Sequence, residues 1–171
     1  MKLNAGEIVS LLGPSGCGKT TLLKIVSGIE KIQKGEIKLN NQTISSQNAH
    51  LSPDKRGVGY VFQDCALFPH LTILDNIFFG LDKKEIQFQT NKIQKLLNEI
   101  NLSNFSEKYP HELSGGQQQQ VALIRAMASD PQIILLDEPY SNLDSRLKEK
   151  IRDEMLHLLK ENNISALLVT H

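Results

Sequence analysis

The clearest chemical pattern in the chain is the run GPSGCGKTT at residues 13–21. It matches the spacing G-x-x-x-x-G-K-[ST] and lies between a short apolar stretch and the helical pattern TLLKIVSG. Small residues let a backbone wrap around an anion, so that its N–H groups and the following helix N-terminus point inward. The pattern therefore predicts a site for the phosphates of a nucleoside triphosphate.

Two residues of this phosphate loop (residues 13–21) have distinct expected roles. Lys19 is expected to reach the terminal phosphates as a positive charge, and the Thr20 hydroxyl is expected to bind Mg²⁺. The complete set of predicted phosphate-binding residues in the loop is Gly13, Pro14, Ser15, Gly16, Cys17, Gly18, Lys19, Thr20 and Thr21. We expect a nucleotide bound together with Mg²⁺.

Two adjacent carboxylates, Asp137 and Glu138, follow the apolar run IILL. A strand that ends in Asp137 brings its carboxylate to the C-terminal edge of a parallel sheet, close to a metal held by Thr20. Glu138 has two interpretations, a solvated loop acid or a base that polarises an attacking water. Its position beside a phosphate site favours the catalytic role.

These residues need a scaffold, and short apolar runs alternating with helical patterns indicate one. The apolar runs, rich in β-branched residues, are 7–12, 58–62, 133–136 and 165–170. Runs of this kind are typical of parallel strands buried on both faces. Amphipathic helices are predicted at 84–100 and 144–162. The alternation predicts an α/β fold with right-handed crossovers.

Two further segments depart from this alternation. Residues 34–44 predict a small antiparallel β edge with a turn at Asn40 and Asn41, and residues 71–126 show no strand signal. We interpret the latter as a helical insertion. The chain is then one incomplete nucleotide-binding domain, with a core of residues 1–70 and 127–171 and a helical subdomain of residues 71–126.

Composition sets broad limits on function. With 171 residues, 40% hydrophobic and 22% charged, the chain suits one globular domain with a real core. Nineteen basic residues balance nineteen acidic ones, so no overall basic field favours a nucleic-acid partner. Cys17 and Cys65 form no metal-ligand or disulfide pattern, which fits a reducing cytosol. No apolar run approaches the ~18 residues of a membrane span.

The segment LSGGQ at residues 113–117, between GPSGCGKT and ILLDEP, resembles the ATP-binding cassette family of transport ATPases. The similarity covers essentially the whole chain, through Gln63 in VFQ, SNLD at 141–144 and His171 in VTH. It implies a P-loop NTPase core, an inserted helical subdomain and Mg²⁺-dependent ATP hydrolysis. It also implies a head-to-tail dimer, in which the signature segment (residues 114–117) of each copy covers the ATP of the other.

The resemblance gives the glutamine-rich run HELSGGQQQQVALIRAM an ordered role instead of a disordered one. Ser114, Gly115, Gly116 and Gln117 would open a helix whose N–H groups and hydroxyl face a partner's γ-phosphate. Gln118, Gln119 and Gln120 are expected to form its exposed first turn. Similar chains commonly have the sequence LSGGQQQR, with an arginine at the position of Gln120. Gln120 would therefore remove an attraction of ~0.5 kcal/mol if its side chain is exposed.

The remaining motif residues take roles that the resemblance implies. Gln63 would contact Mg²⁺ and the attacking water and would link the core to the helical subdomain. Asp144 is expected near the dimer interface, and His171 near the γ-phosphate. The implied catalytic residues are Glu138, His171 and Gln63, and the implied metal ligands are Thr20, Gln63 and Asp137.

The segment DCALFPHLTILDNIFFGL, residues 64–81, indicates the transport subclass. Its apolar side chains suit the core of the helical subdomain. The sequence of the segment also resembles that of importer cassettes, which receive a helix of a separate membrane permease subunit. The nearest group is the bacterial iron(III), sulfate, polyamine and sugar importers, and iron(III) is favoured. We expect a peripheral protein on the cytoplasmic face of the bacterial inner membrane, working indirectly with a solute-binding protein.

Two other functions remain open at this point. A soluble cassette protein of translation or DNA repair would need a duplicated cassette or a coiled-coil insertion, and a P-loop kinase would need an acceptor site and an arginine-bearing lid. Neither pattern is present in the sequence. Family members usually begin earlier, with an aromatic that stacks on adenine, and continue past His171. We expect a fragment that binds nucleotide weakly.

Overall fold

The computed structural model describes residues 1–141 and 143–170. Its strands are β1 (Ile8–Leu12), β2 (Glu36–Leu39), β3 (Gln42–Ser46), β4 (Val58–Val61), β5 (Ile133–Asp137) and β6 (Ser165–Thr170). Its α-helices are α1 (Lys19–Ser27), α2 (Ile73–Phe78), α3 (Lys83–Glu99), α4 (Gly115–Met127) and α5 (Ser145–Glu161). Within these described ranges, no helix combines the length and apolar character needed to cross a bilayer.

Four strands form the main sheet in the order β1-β6-β5-β4, and each neighbouring pair is parallel. The four strands predicted from apolar runs are confirmed, with ends that shift by one residue. Glu7 and Phe62 lie outside their strands, whereas Asp137 continues β5. The parallel sheet therefore delivers Asp137 at its C-terminal edge.

The two faces of the sheet pack against different helices. Ile133 and Leu135 of β5 lie in the cluster that contains Leu23 of α1. Ile134 and Leu136 lie in the larger cluster with α4 and α5. Because successive side chains of a strand point to opposite faces, Asp137 continues the row that faces α1.

Residues 34–44 form the predicted antiparallel hairpin of β2 and β3. Asn40 and Asn41 have φ values of 47° and 65°. Two consecutive left-handed residues are typical of the tight turn that matches the twist of a hairpin. The expected turn position is confirmed.

Residues 71–126 hold α2, α3 and most of α4, as the helical interpretation predicts. Asp82 caps α3, and Glu85 returns a hydrogen bond to the Asp82 backbone in a capping box. The larger core cluster runs without a break from Ile77 of α2 through α4 to Leu158 of α5. The division into a core and a helical subdomain stays a prediction.

The C-terminal end of α1 is anchored by Arg56, which is only 2% exposed. Its guanidinium donates to the carbonyl oxygens of Ile25 and Val26, each at 2.9 Å. Burial lowers the pKa of Arg56 from its ordinary value. A side chain at Gly28 would lie 2.4 Å from this guanidinium, so Gly28 is required there. Arg56 thus ties α1, and with it the phosphate loop, to the rest of the fold.

Candidate functional site

The phosphate loop joins β1 to α1 and depends on two left-handed glycines. Gly16 has a φ of 78° and Gly18 a φ of 93°. An added Cβ at either position meets nothing within 4 Å, so the requirement is conformational and not steric crowding. Gly18 is the N-cap of α1 and brings the loop onto the N-terminus of that helix. The local structure is therefore the one that an anion site requires.

Lys19 lies inside the phosphate loop and is only 7% exposed. Its ammonium donates to the carbonyl oxygen of Gly13 at 2.6 Å and to that of Pro14 at 2.9 Å. The Cys17 Sγ atom is 3.8 Å from the same nitrogen. The loop thus surrounds the positive charge that is predicted to contact the terminal phosphates.

Thr20, Asp137 and Tyr60 form a hydrogen-bonded group at the edge of the sheet. The Thr20 hydroxyl donates to Asp137 Oδ1 at 2.9 Å, and the Tyr60 hydroxyl donates to Asp137 Oδ2 at 3.0 Å. Asp137 is 6% exposed. Burial, followed by the charge of Asp137, raises the pKa of Tyr60, so this hydroxyl remains a neutral donor at physiological pH.

The donor atoms of this group fit Mg²⁺. Thr20 offers a hydroxyl oxygen and Asp137 a carboxylate oxygen, which are hard ligands. Within the described residues, no group of three or more His, Cys, Asp or Glu side chains could hold a metal alone. Mg²⁺ usually binds one or two carboxylates together with substrate phosphates and water. The residues therefore suit a metal shared between the protein and a nucleotide.

Glu138 follows Asp137 in a left-handed backbone conformation with a φ of 46°. Its N–H donates to the Val169 carbonyl oxygen at 3.1 Å, and its own carbonyl oxygen accepts from Ser141 N at 3.1 Å. Such a conformation costs a non-glycine residue of order 1–3 kcal/mol, and residues of this kind cluster at functional sites. The strained turn is consistent with the catalytic role predicted for Glu138, which stays a prediction.

Gln63 is exposed and lies two residues beyond the end of β4. The chain after it is held by Arg125 of α4, which donates to the carbonyl oxygens of Cys65 at 2.8 Å and Ala66 at 2.7 Å. Both of these residues have left-handed backbones. The structure thus connects the loop of Gln63 to the helix that carries the signature segment, and the metal and catalytic roles of Gln63 stay predictions.

The signature segment forms the start of α4. Ser114 Oγ accepts from Gln117 N at 3.4 Å, while Gln117 Oε1 accepts from Ser114 N at 2.9 Å. Ser114 and Gly115 are exposed, and Gly116 is buried with room for no side chain, since a Cβ would lie 2.9 Å from Ile151. The segment is therefore a capped helix start that faces solvent on one side and α5 on the other.

The expectation of an exposed first turn is wrong for Gln119 and Gln120, and Gln118 is half-buried. Gln119 is 1% exposed and Gln120 is 3% exposed. Because α4 packs against α2, β4 and α5 together, little of its surface reaches water. Gln120 Nε2 donates to Glu154 Oε2 of α5 at 2.6 Å. The ~0.5 kcal/mol figure for an exposed cation at this position therefore does not apply.

Asp144 lies at the N-terminus of α5, where its Oδ1 accepts from Leu147 N at 3.0 Å. This bond caps the helix. His171, predicted near the γ-phosphate, and Asn142 of SNLD lie outside the described residues. The proposed interface role of Asp144 stays a prediction.

The predicted residues fall into two separate groups. Thr20 and Asp137 are hydrogen-bonded at one sheet edge, with Lys19 and Glu138 beside them in the sequence. Across the described ranges, no hydrogen bond joins residues 114–117 to residues 13–21. One copy of the chain therefore does not bring the signature segment onto its own phosphate loop.

Sequence reasoning missed two residues that hold parts of the candidate site, Tyr60 and Arg125, and a third, Asn76, that holds the turn before α2. Tyr60 could have been found from strand parity, because it pairs in register with Leu135 and so shares the face of Asp137. Asn76 is fully buried and donates to the carbonyl oxygens of Phe68, Leu71 and Thr72 at 2.9–3.1 Å. No local pattern marks Arg125, because its partners Cys65 and Ala66 lie about 60 residues earlier in the chain.

The fold and the site define a P-loop nucleotide-binding protein. A protein-family model described as ABC transporter matches residues 1–141. This match covers well over half of the chain, and the chain belongs to the ABC transporter family.

Three curated relatives match almost the whole chain. The Fe(3+) ions import ATP-binding protein FbpC 2 of Haemophilus influenzae is 46% identical over 99% of this chain and 48% of that protein. The spermidine/putrescine import ATP-binding protein PotA of Chromobacterium violaceum is 45% identical over 100% of this chain and 47% of that protein. The sulfate/thiosulfate import ATP-binding protein CysA 2 of the same organism is 44% identical over 100% of this chain and 46% of that protein. The chain spans about half the length of these relatives.

A solved structure supports the fold. The ATP-binding cassette MJ0796, in a dimeric post-hydrolysis state bound to ADP and Pi, is 34% identical with a TM-score of 0.77. It matches 100% of this chain and 77% of its own. The predicted fold class, a parallel P-loop sheet with helices and a small antiparallel sheet, is confirmed.

Proposed function

We propose that the protein is the ATP-binding subunit of a bacterial ABC importer and couples ATP hydrolysis to solute uptake through separate membrane permease subunits. The observation that carries this proposal is the hydrogen bond of Thr20 to Asp137, together with the enclosure of the Lys19 ammonium by the phosphate loop. The relatives named as import ATP-binding proteins support the transport part.

In the proposed reaction, the phosphate loop binds the triphosphate with backbone N–H groups and the N-terminus of α1. Lys19 exchanges its bonds to the loop carbonyls for bonds to phosphate oxygens, which are stronger because both partners are charged. Thr20 and Asp137 would hold Mg²⁺, which neutralises developing charge on the phosphates when bound. Glu138 accepts a hydrogen bond from the attacking water and takes its proton as the oxygen of that water bonds to the γ-phosphorus. The bond from the γ-phosphorus to the bridging oxygen breaks in the same step, so that ADP leaves and inorganic phosphate is formed.

A second copy of the chain completes the site in this proposal. The exposed side of the signature segment offers the Ser114 hydroxyl and the N–H groups at the start of α4. These groups suit the γ-phosphate held by the other copy, since a helix N-terminus attracts anions. The dimer of MJ0796 bound to ADP and Pi supports this assembly.

The proposed location is the cytoplasmic face of the bacterial inner membrane, where the protein would be peripheral and bound to the permease. A solute-binding protein would act on the far side of the same complex. The relatives at 44–46% identity divide among iron(III), polyamine and sulfate, so identity alone does not select the solute. We take iron(III) as the working assignment.

Glu138→Gln tests the proposed chemistry. The amide keeps the size of the side chain but cannot take the proton of the attacking water, and loss of a general base costs about 10²–10⁴-fold in rate. The variant should bind MgATP normally, lose at least about a hundredfold in turnover and accumulate a dimer in size-exclusion chromatography. Glu107→Gln, on an exposed turn, is the matched control and should keep wild-type turnover. Near-normal hydrolysis by Glu138→Gln would remove Glu138 from the proposed role.

The transport part is tested by co-purification and uptake. Affinity-tagged protein should retain membrane permease subunits after mild detergent extraction. Cells that lack the protein should lose uptake of radioactive iron(III) and keep uptake of sulfate and putrescine. Loss of sulfate or putrescine uptake instead would replace the iron assignment, and purification without any membrane subunit would contradict the importer.

A further inference from the structure

Tyr60 holds the carboxylate that is proposed to face Mg²⁺. It is the third residue of β4, and its hydroxyl donates to Asp137 Oδ2 at 3.0 Å. Thr20 donates to the other oxygen, Oδ1, at 2.9 Å. The two oxygens of one carboxylate are therefore divided between two neighbouring elements, β4 on one side and α1 on the other.

The Tyr60 ring is itself fixed in place. It packs in the cluster between the sheet and α1, and its centroid lies 4.4 Å from that of Phe62. Tyr60 pairs in register with Leu135, two residues before Asp137 on the same face of β5. The hydroxyl thus reaches Asp137 from a rigid strand rather than from a loop.

A second hydrogen-bonding partner fixes how a ligating carboxylate is oriented, and its loss typically weakens metal affinity about 10- to 100-fold. The Thr20 hydroxyl has two lone pairs, so its oxygen can bind a metal while its O–H still donates to Asp137 Oδ1. The Tyr60 hydroxyl holds the other oxygen, and the two bonds together set the plane of the carboxylate.

We propose that Tyr60 is a positioning residue of the magnesium site, which holds Asp137 so that Oδ1 is presented on the side of Thr20. The proposal rests on the proposed function, since it requires that Mg²⁺ is bound with a nucleotide there. It assigns to Tyr60 a role in metal affinity and none in direct contact with phosphate.

Tyr60→Phe is the deciding variant, because it removes the hydroxyl and keeps the ring that packs beside Phe62. ATP binding to the protein would be measured by calorimetry in excess EDTA and then over a series of Mg²⁺ concentrations. Mn²⁺ would be followed in parallel by electron paramagnetic resonance. We expect wild-type affinity for ATP in EDTA, a thermal midpoint close to wild type and an apparent metal affinity about tenfold weaker.

Tyr140→Phe is the matched control. Tyr140 is 4% exposed, and in the described part of the chain its hydroxyl has no hydrogen-bond partner. It follows Asp137 by three residues, so the variant removes a nearby buried hydroxyl without touching the carboxylate. Its metal dependence should equal that of the wild type.

The outcomes separate this proposal from the one on which it rests. Wild-type metal affinity in Tyr60→Phe, or an equal loss of ATP affinity with and without metal, would overturn the positioning role. A wild-type protein that binds ATP no better with Mg²⁺ than in EDTA would instead overturn the proposed metal site itself.

Discussion

The phosphate loop and the signature segment are both helix starts suited to anions, yet they are stabilised in different ways. The phosphate loop encloses Lys19, and the adjoining Thr20 is bonded to Asp137 of β5. The signature segment satisfies its own backbone through the capping box of Ser114 and Gln117. The phosphate loop is thus completed by groups from elsewhere in its own chain, and the signature segment is not.

This difference indicates which of the two segments is expected to bind its ligand without a second copy of the chain. A phosphate loop whose buried lysine and proposed metal ligands belong to the same chain should bind nucleotide within one copy of the chain. An exposed helix start with no charged residue in its first turn adds only a modest attraction for an anion, about 0.3–1 kcal/mol. The signature segment therefore should act only when a second copy brings a γ-phosphate to it.

Substitution of Lys19 should weaken nucleotide binding more than any other change proposed below. Lys19→Met removes a buried positive charge but keeps the length of the side chain, and charge-assisted hydrogen bonds contribute about 1.5–3 kcal/mol each. We expect ATP affinity to fall roughly a hundredfold. Lys24→Met, in the last turn of the same helix with a side chain 39% exposed, should change it less than about twofold. Equal effects of the two variants, measured by calorimetry, would contradict the role of Lys19.

Thiol labelling compares the phosphate loop with the buried turn that follows β4. Cys17 is exposed and lies beside Lys19, whereas Cys65 is buried and its burial raises the pKa of that thiol to about 11. Since the thiolate is the reactive form, iodoacetamide at pH 8 should label Cys17 at least about tenfold faster than Cys65. MgATP should protect Cys17 and leave Cys65 unaffected. Faster labelling of Cys65 in mass spectrometry would contradict the burial of that thiol, and no protection of Cys17 by MgATP would contradict nucleotide binding by the loop.

Substitution of the two signature glycines, Gly115 and Gly116, should affect protein stability differently. A Cβ at Gly116 would lie 2.9 Å from Ile151, and overpacking of this kind costs about 1–3 kcal/mol. A Cβ at Gly115 would lie 3.6 Å from Leu143, an ordinary contact. Gly116→Ala should lower the free energy of unfolding in urea, and Gly115→Ala should change it by less than about 0.5 kcal/mol.

The same pair tests the separation of the two halves. Neither glycine contacts the phosphate loop, so both variants should bind ATP as a single copy with unchanged affinity. A methyl group added at the exposed face should mainly disturb the proposed dimer, and Gly115→Ala is expected to do so without loss of stability. Equal destabilisation by the two alanines would refute the packing argument.

Substitution of Gln120 by arginine should change ATP affinity very little. Its amide donates to Glu154 of α5, so Gln120→Arg should keep a hydrogen bond to that carboxylate and leave ATP affinity within about twofold of wild type. Gln120→Leu should leave Glu154 without this donor and cost about 1 kcal/mol in a urea titration. A tenfold gain in ATP affinity for Gln120→Arg would show that position 120 does act on the phosphates.

Local patterns were sufficient for the main elements of the fold. The strands of the parallel sheet, the hairpin turn at Asn40 and Asn41, and the long helices α3 and α5 all follow from periodicity and turn chemistry. These signals are local because each depends on side-chain direction or backbone preference within a few residues. The phosphate loop belongs to the same class, since its glycines and its flanking strand and helix are contiguous.

Long-range packing decided the rest. A helical pattern does not reveal how many neighbours surround a helix, and Gln119 and Gln120 are buried because α4 lies between other elements on several sides. The bonds of Tyr60 to Asp137 and of Arg125 to the turn after Gln63 join residues 77 and about 60 positions apart. Contacts of this separation depend on strand order and on which face each side chain takes. The residues that are predicted to bind phosphate in the loop are therefore contiguous in the sequence. The residues that hold them in position come together only when the sheet and its helices assemble.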